Sequence, residues 1–220
     1  MRPLLARATE TRRHGGLRGS FRMRSWLMAL AVCVVVTSAT WAAEPTLLDA
    51  AERGDRAAAL RLLERGANPN TPGPDGTTAI MYAAANDDIE LVRALIKAGA
   101  NAGLKNQFGT SAITEAAIIG SAPVIDALLK AGADPNTRNP EGETPLMAVA
   151  RSGKVDAARR LLEARADVNA KESFGGQTAL MWAAAQGQAE MVKLLAASGA
   201  DVNACGVVRL FNREAERVTG

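Results

Sequence analysis

Apolar residues along this chain follow two different patterns. Residues 26–43 read Trp-Leu-Met-Ala-Leu-Ala-Val-Cys-Val-Val-Val-Thr-Ser-Ala-Thr-Trp-Ala-Ala, an unbroken run without a charge. Beyond it, short apolar runs alternate with polar turns at a fixed step. Towards the C-terminus, Ala179 to Ala185 predicts one helix, opened by Thr178, whose hydroxyl can accept from a free amide of the first turn. Gly187 predicts the stop, because a chain reversal favours a residue that tolerates positive φ. Met191, Val192, Leu194 and Leu195 then fall on one stripe of a second helix that ends at Gly199. One such pair cannot bury its own apolar faces, so neighbouring pairs must stack to make a continuous core.

The step is legible in three markers that keep one phase. Gly-Ala-Asn-Pro-Asn begins at Gly66, Gly-Ala-Asn at Gly99, Gly-Ala-Asp-Pro-Asn at Gly132, Arg-Ala-Asp-Val-Asn at Arg165 and Gly-Ala-Asp-Val-Asn at Gly199, in steps of 33, 33, 33 and 34 residues. Thr78-Ala79-Ile80, Ser111-Ala112-Ile113, Thr144-Pro145-Leu146 and Thr178-Ala179-Leu180 form a second series. Gly76, Gly109, Gly142 and Gly176 form the third. A period of this length is the signature of a repeat array.

These residues resemble the ankyrin repeat family, whose unit runs Gly-x-Thr-Pro-Leu-His-x-Ala-Ala, then Gly, then Leu-Leu…Gly-Ala-Asp-Val-Asn. The resemblance covers residues 45–204, in units of about 45–72, 73–105, 106–138, 139–171 and 172–204 of a domain spanning 44–204. It implies an all-α solenoid of about five helix-turn-helix units with projecting β-turn fingers. Met81, Thr114, Met147 and Met181 stand where the family has His, so the hydrogen bond of that imidazole to the neighbouring turn is expected to be missing. Arg165 replaces a helix-ending Gly, at a cost of about 1 kcal/mol if it takes positive φ. Asp87 holds another reversal site, where Asp is better tolerated. Pro45, Glu52, Arg53 and Asp55 suit a polar N-terminal cap.

At the far end the pattern fails. A sixth unit would need Gly near 209 and Thr near 211, where Arg209 and Phe211 stand, so residues 205–220 form an atypical tail. Val207, Val208, Leu210 and Phe211 could fold back as a makeshift cap; a truncated array or an open end that docks on a partner or a second copy are the other readings.

The N-terminal run changes the expected location. Basic residues precede it and small residues close it, the layout of a signal peptide over residues 1–43. Cleavage after Ala42, with Thr40 at the −3 position, or after Ala39 fits, and a start at Met23 would give a more compact opening. An uncleaved anchor flanked by Trp26 and Trp41 is the main alternative, since 18 apolar residues sit at the short end of a spanning helix. A buried core helix, or a lipoprotein box at Leu30-Ala31-Val32-Cys33 with Val32 too large before the cysteine, are lesser ones. Either main reading puts the domain outside the cytoplasm: periplasmic or secreted, or membrane-anchored.

Composition narrows the chemistry. Apolar residues make up 48% of the chain but aromatics only 4%, so the interior must be built from small and aliphatic side chains in closely packed helices. The pI of about 9.1 comes from the N-terminus, where seven of the 26 Lys and Arg precede residue 44 against Glu10 alone. From Glu44 onward 19 basic residues face 22 acidic ones, a net of −3 with no overall attraction for nucleic acid. Cys33 lies in the signal, leaving Cys205 without an intramolecular partner. The single His14 precedes the apolar run, so the domain has no Ser-His-Asp or Cys-His arrangement and no usual zinc set. There is no phosphate loop or dinucleotide fingerprint. The nearest paired acids, Asp87-Asp88 and Glu141/Glu143, sit at a helix start and in a turn finger, where solvated carboxylates are normal. The expectation is a non-catalytic protein with no cofactor and no metal.

The resemblance places ligands against the finger tips and the exposed ends of the first helices. Carried over, the finger positions are Asp75, Thr77, Gln107, Phe108, Thr110, Glu141, Glu143, Phe174 and Gln177. The helix ends are Glu52, Arg53, Ala85, Asn86, Ile118, Ile119, Arg151, Ser152, Ala185 and Gln186. Gln107, Phe108, Ile118, Ile119, Glu141, Glu143, Arg151 and Phe174 form the candidate protein-binding set. Phe108, Ile118 and Ile119 stand out as large apolar groups in a wet place, read either as an interaction patch or as ordinary packing. Tyr82 and Trp182 are expected to pack on the core, and Glu115 in the same slot to reach solvent or pair with Arg151. The expected function is an exported module that binds one protein partner on its concave face, as a monomer or with weak self-association. The alternative is a membrane-tethered structural unit that stacks with itself through its C-terminal end.

Overall fold

A computed structural model describes residues 45–203, and among them the chain forms ten α-helices and no strand. The signal peptide or anchor assigned to 1–43, its cleavage sites, the start at Met23 and the tail 205–220 with Cys205 lie outside the described residues. The helices are α1 Leu47–Glu52, α2 Arg56–Glu64, α3 Ala79–Ala85, α4 Ile89–Lys97, α5 Ala112–Ile119, α6 Ala122–Lys130, α7 Pro145–Ser152, α8 Val155–Glu163, α9 Ala179–Ala185 and α10 Ala189–Ala197. None of them is long and apolar enough to cross a membrane.

Two layers result. The odd-numbered inner helices contact one another in sequence, and so do the even-numbered outer ones. Ala83, Ala84, Ala116, Ala117, Ala150 and Ala183 are fully buried on the inner helices, where only a methyl group lets the backbones come this close. Leu91, Leu95, Ile125, Leu128, Leu161 and Leu195 fill the space behind them from the outer layer. The expected small-residue interior is the one found.

Side-chain caps vary from helix to helix. Asp55 and Asp88 accept the amides of Ala58 and Leu91 at 2.9 Å, fixing the starts of α2 and α4. Asp88 also accepts Arg56 Nε at 2.7 Å, and Arg56 reaches Glu90 at 3.2 Å, which ties α2 to α4. The hydroxyl caps on α3, α7 and α9 are weaker. Thr144 and Thr178 accept at 3.4 Å, and the Thr78 hydroxyl is buried without a hydrogen-bond partner. Groups in the family's His position compensate locally: the Thr144 amide donates to Met147 Sδ at 3.4 Å, and the Ser111 amide donates to Thr114 Oγ1 at 2.8 Å.

Loops between the helix pairs are laced by a repeated rung. Asn70 donates to the Gly99 carbonyl at 2.9 Å and accepts the Asn101 amide at 2.7 Å. Asn136 does the same to Arg165 and Asp167, and Asn169 to Gly199 and Asp201. Gly103 holds the equivalent place in the second loop and has no side chain to reach the third. The fingers are joined one register further along: the Gln107 amide donates to the Asp75 carbonyl and the Ser173 amide to that of Glu141, both at 2.9 Å. Between those two pairs stands Pro140, which has no N–H. Among the described residues, loops 99–110 and 132–143 therefore share one hydrogen bond, from Lys105 Nζ to the Arg138 carbonyl at 3.1 Å.

Two non-glycine residues take left-handed backbone, Asp87 at φ 55° and Arg165 at φ 66°. Gly132 and Gly199 turn the corner of Arg165 in other units at φ 90°, and Gly54 and Gly120 that of Asp87 at φ 69° and 79°, without steric cost. Replacement of Arg165 by Gly is accordingly expected to raise the free energy of unfolding by about 1 kcal/mol, measured by urea titration. An unchanged or lower midpoint would show that the corner carries no strain.

Candidate protein-docking face

Each finger is a turn held from inside by a polar side chain. Asp75 accepts the Thr77 hydroxyl at 2.7 Å and its amide at 3.0 Å, and these bonds hold its carboxyl below the ordinary value. Asn106 Oδ1 accepts the amides of Phe108 and Thr110, both at 3.0 Å. Asn139 Oδ1 accepts the Glu143 amide at 2.8 Å. The fourth finger is one residue longer, and the Glu172 carboxylate fills it, accepting the amides of Gln177, Phe174 and Gly175. Those bonds, Gln177 first, lower the Glu172 pKa. Asn106, Asn139 and Glu172 position the tips, yet none belongs to the candidate set. Their signal in the sequence is an Asn or Glu a few residues before the finger glycine, a side chain able to bond its own backbone.

On these frames the apolar candidates face solvent. Phe108 is 60% exposed, Ile118 56%, Ile119 43% and Phe174 86%. Ile118 also lines a pit of about 60 Å³ with Thr110 and Thr114 on its own unit and Glu143, Pro145 and Ala148 on the next. One edge of Ile118 thus meets a neighbour while most of the side chain remains open. Gln107 commits its backbone amide to the first finger, and Glu141 is exposed on the third. Phe174 stands on the fourth finger, two units along the stack from Phe108.

Polar candidates are joined differently from expectation. Arg151 Nη1 pairs with Glu143 Oε1 at 3.1 Å, and its guanidinium lies 5.4 Å from the centre of the Trp182 ring. Arg151 is therefore committed to its own unit and the next, and the pairing with Glu115 is not formed. Glu115 is half-buried, no hydrogen bond or ion pair from the described residues engages its carboxylate, and burial pushes its pKa up. Tyr82 and Trp182 pack on the core as expected, with the Trp182 Nε1 buried and without a hydrogen-bond partner.

The described residues contain no histidine and no cysteine. Among the described residues, no group of three or more His, Cys, Asp or Glu is placed to hold a metal ion. The face offers shape, exposed apolar groups and a few fixed charges, which are the means of recognition.

Comparison with known proteins agrees with the repeat. The family model for ankyrin repeats, in three copies, matches residues 47–139 and 115–204, and no curated protein matches the chain. Ankyrin repeat proteins are typically non-catalytic, and their repeats are in general modules of protein–protein interaction. With the 33-residue step, the paired helices and this match over most of its length, the chain belongs to the ankyrin repeat family.

Proposed function

We propose that the protein is an exported, non-catalytic binding module that holds one protein partner against its fingers and inner-helix ends. In this reading residues 1–43 are the signal peptide, 44–204 the binding domain and 205–220 a tail, and the module works in the periplasm or outside the cell. The observation that carries it is the exposure of Phe108, Ile118 and Ile119, on a finger clamped by Asn106 and on the helix that follows it. Large apolar side chains left in water at rigid positions are what a partner can bury at small entropic cost. Gln107, Glu141, Glu143, Arg151 and Phe174 supply the polar and aromatic surroundings.

The test is affinity capture from gently cross-linked native cells, run beside a Phe108→Ser, Ile118→Ser, Ile119→Ser variant. One protein should be recovered with the parent and lost with the variant, whose circular dichroism and melting stay close to the parent's. Recovery of the same proteins by both would end the proposal for this face. A second reading, self-association through the C-terminal end, draws on Met181 and Ala184, which are partly exposed where Met81, Ala84, Met147 and Ala150 are buried. Concentration-dependent oligomers in sedimentation would favour it; a monomer would not.

A further inference from the structure

Glu115 occupies a place that three of the other four inner helices fill with apolar atoms; on α1 it is Asp49, whose carboxylate is used in the capping box with Thr46. Tyr82, Ala148 and Trp182 hold the same position on α3, α7 and α9, and all three are packed on the core. On α5 a carboxylate is half-buried there instead, and no cation of the described residues neutralises it. The basic group on the next inner helix, Arg151, is taken by Glu143 and the Trp182 ring. Burying a charge without a partner is unfavourable, so the fold carries a local cost at this residue. Glu115, Ile118 and Ile119 follow the i, i+3, i+4 spacing and share one face of α5. The unpaired charge and the exposed apolar groups form one surface.

We propose that this surface recognises a segment of the partner protein that sets a lysine or arginine between apolar side chains. The cation pairs with Glu115, and the apolar groups cover Ile118, Ile119 and Phe108. The inference rests on the docking-face reading above. Three physical arguments select this chemistry. A wholly apolar segment would finish the burial of Glu115 without a partner, which disfavours it. An acidic segment would be repelled by Glu115 and by the exposed Glu141 on the neighbouring finger. A basic side chain meets a carboxylate that is already partly dehydrated in the free protein, so less water has to be displaced from it on docking.

The experiment selects peptides from a phage-displayed library of random 12-residue sequences on the immobilised full chain, then measures individual peptides by fluorescence polarisation. Recovered sequences are expected to be enriched in Lys or Arg flanked by Leu, Ile or Phe. They should bind a Glu115→Gln variant about tenfold more weakly or worse. Because that substitution removes an uncompensated charge, the variant should melt no lower than the parent, which excludes misfolding as the cause. Peptides without a basic bias, or with affinity for Glu115→Gln within about twofold of the parent, would overturn the proposal, as would an empty selection. Peptides that ignore Glu115→Gln but fail on Ile118→Ser would sink this inference and leave the docking face standing; peptides indifferent to both would sink both.

Discussion

Truncation of Leu128 to Ala is expected to lower the free energy of unfolding by about 3 kcal/mol, seen as a shift of the urea midpoint at constant slope. Leu128 is fully buried on α6, in the middle of the stack. Its loss forfeits the transfer energy of the removed carbons and leaves a cavity between outer helices that repeat too regularly to close over it. Position matters as well as chemistry. In a stack each unit is stabilised by its neighbours, so a defect on α6 weakens contacts with both α4 and α8. Leu195 on α10 is buried as completely but lies in the last described pair. The same truncation there should cost less. Equal losses at the two sites would mean that position in the stack carries no weight beyond local burial.

Enlarging Ala116 to Leu is expected to be as damaging by the opposite route, lowering stability by about 3 kcal/mol, or roughly 6 to 12 °C in melting temperature. Ala116 faces the neighbouring inner helices with no exposed surface, among other alanines that set the spacing of the layer. Three added carbons have no void to enter, so α5 must move away from α3 or α7 and open contacts along its whole length. A control lies on the same helix. Ile118 is 56% exposed, and Ile118→Ala should cost under about 1 kcal/mol. Differential scanning calorimetry of the three proteins decides it. A parent-like melt for Ala116→Leu would mean that the inner layer is looser than its burial implies.

Both predictions rest on a pattern that was readable along the chain. The helix from Ala179 to Ala185, the reversal at Gly187 and the positive φ of Arg165 all followed from residue types at repeat positions, because each depends on local backbone geometry. What depends on reach between units was harder to see. The Arg151–Glu143 pair, formed in place of Arg151–Glu115, reflects where two long side chains end, which spacing does not specify. Exposure of Ile118 depends on what the next unit sets opposite, and there Pro145 and Ala148 leave it uncovered. The Asn70, Asn136 and Asn169 rungs lay in plain view as repeated Asn residues. Read one unit at a time they are turn formers; only the stack shows them reaching across.

The missing rung has a mechanical meaning. Helices packed through alanine resist sliding, but the loop edge resists spreading only through its cross-links. At Gly103 and Pro140 two of those links are absent together, and a single lysine side chain bridges the gap. Load that splays the finger row will concentrate at this joint, much as a zip opens where a tooth is gone. Phe108 stands at its edge. A wedge-shaped ligand arriving there meets, among the described loops, the joint with the fewest cross-links, beside a finger that is itself clamped by Asn106.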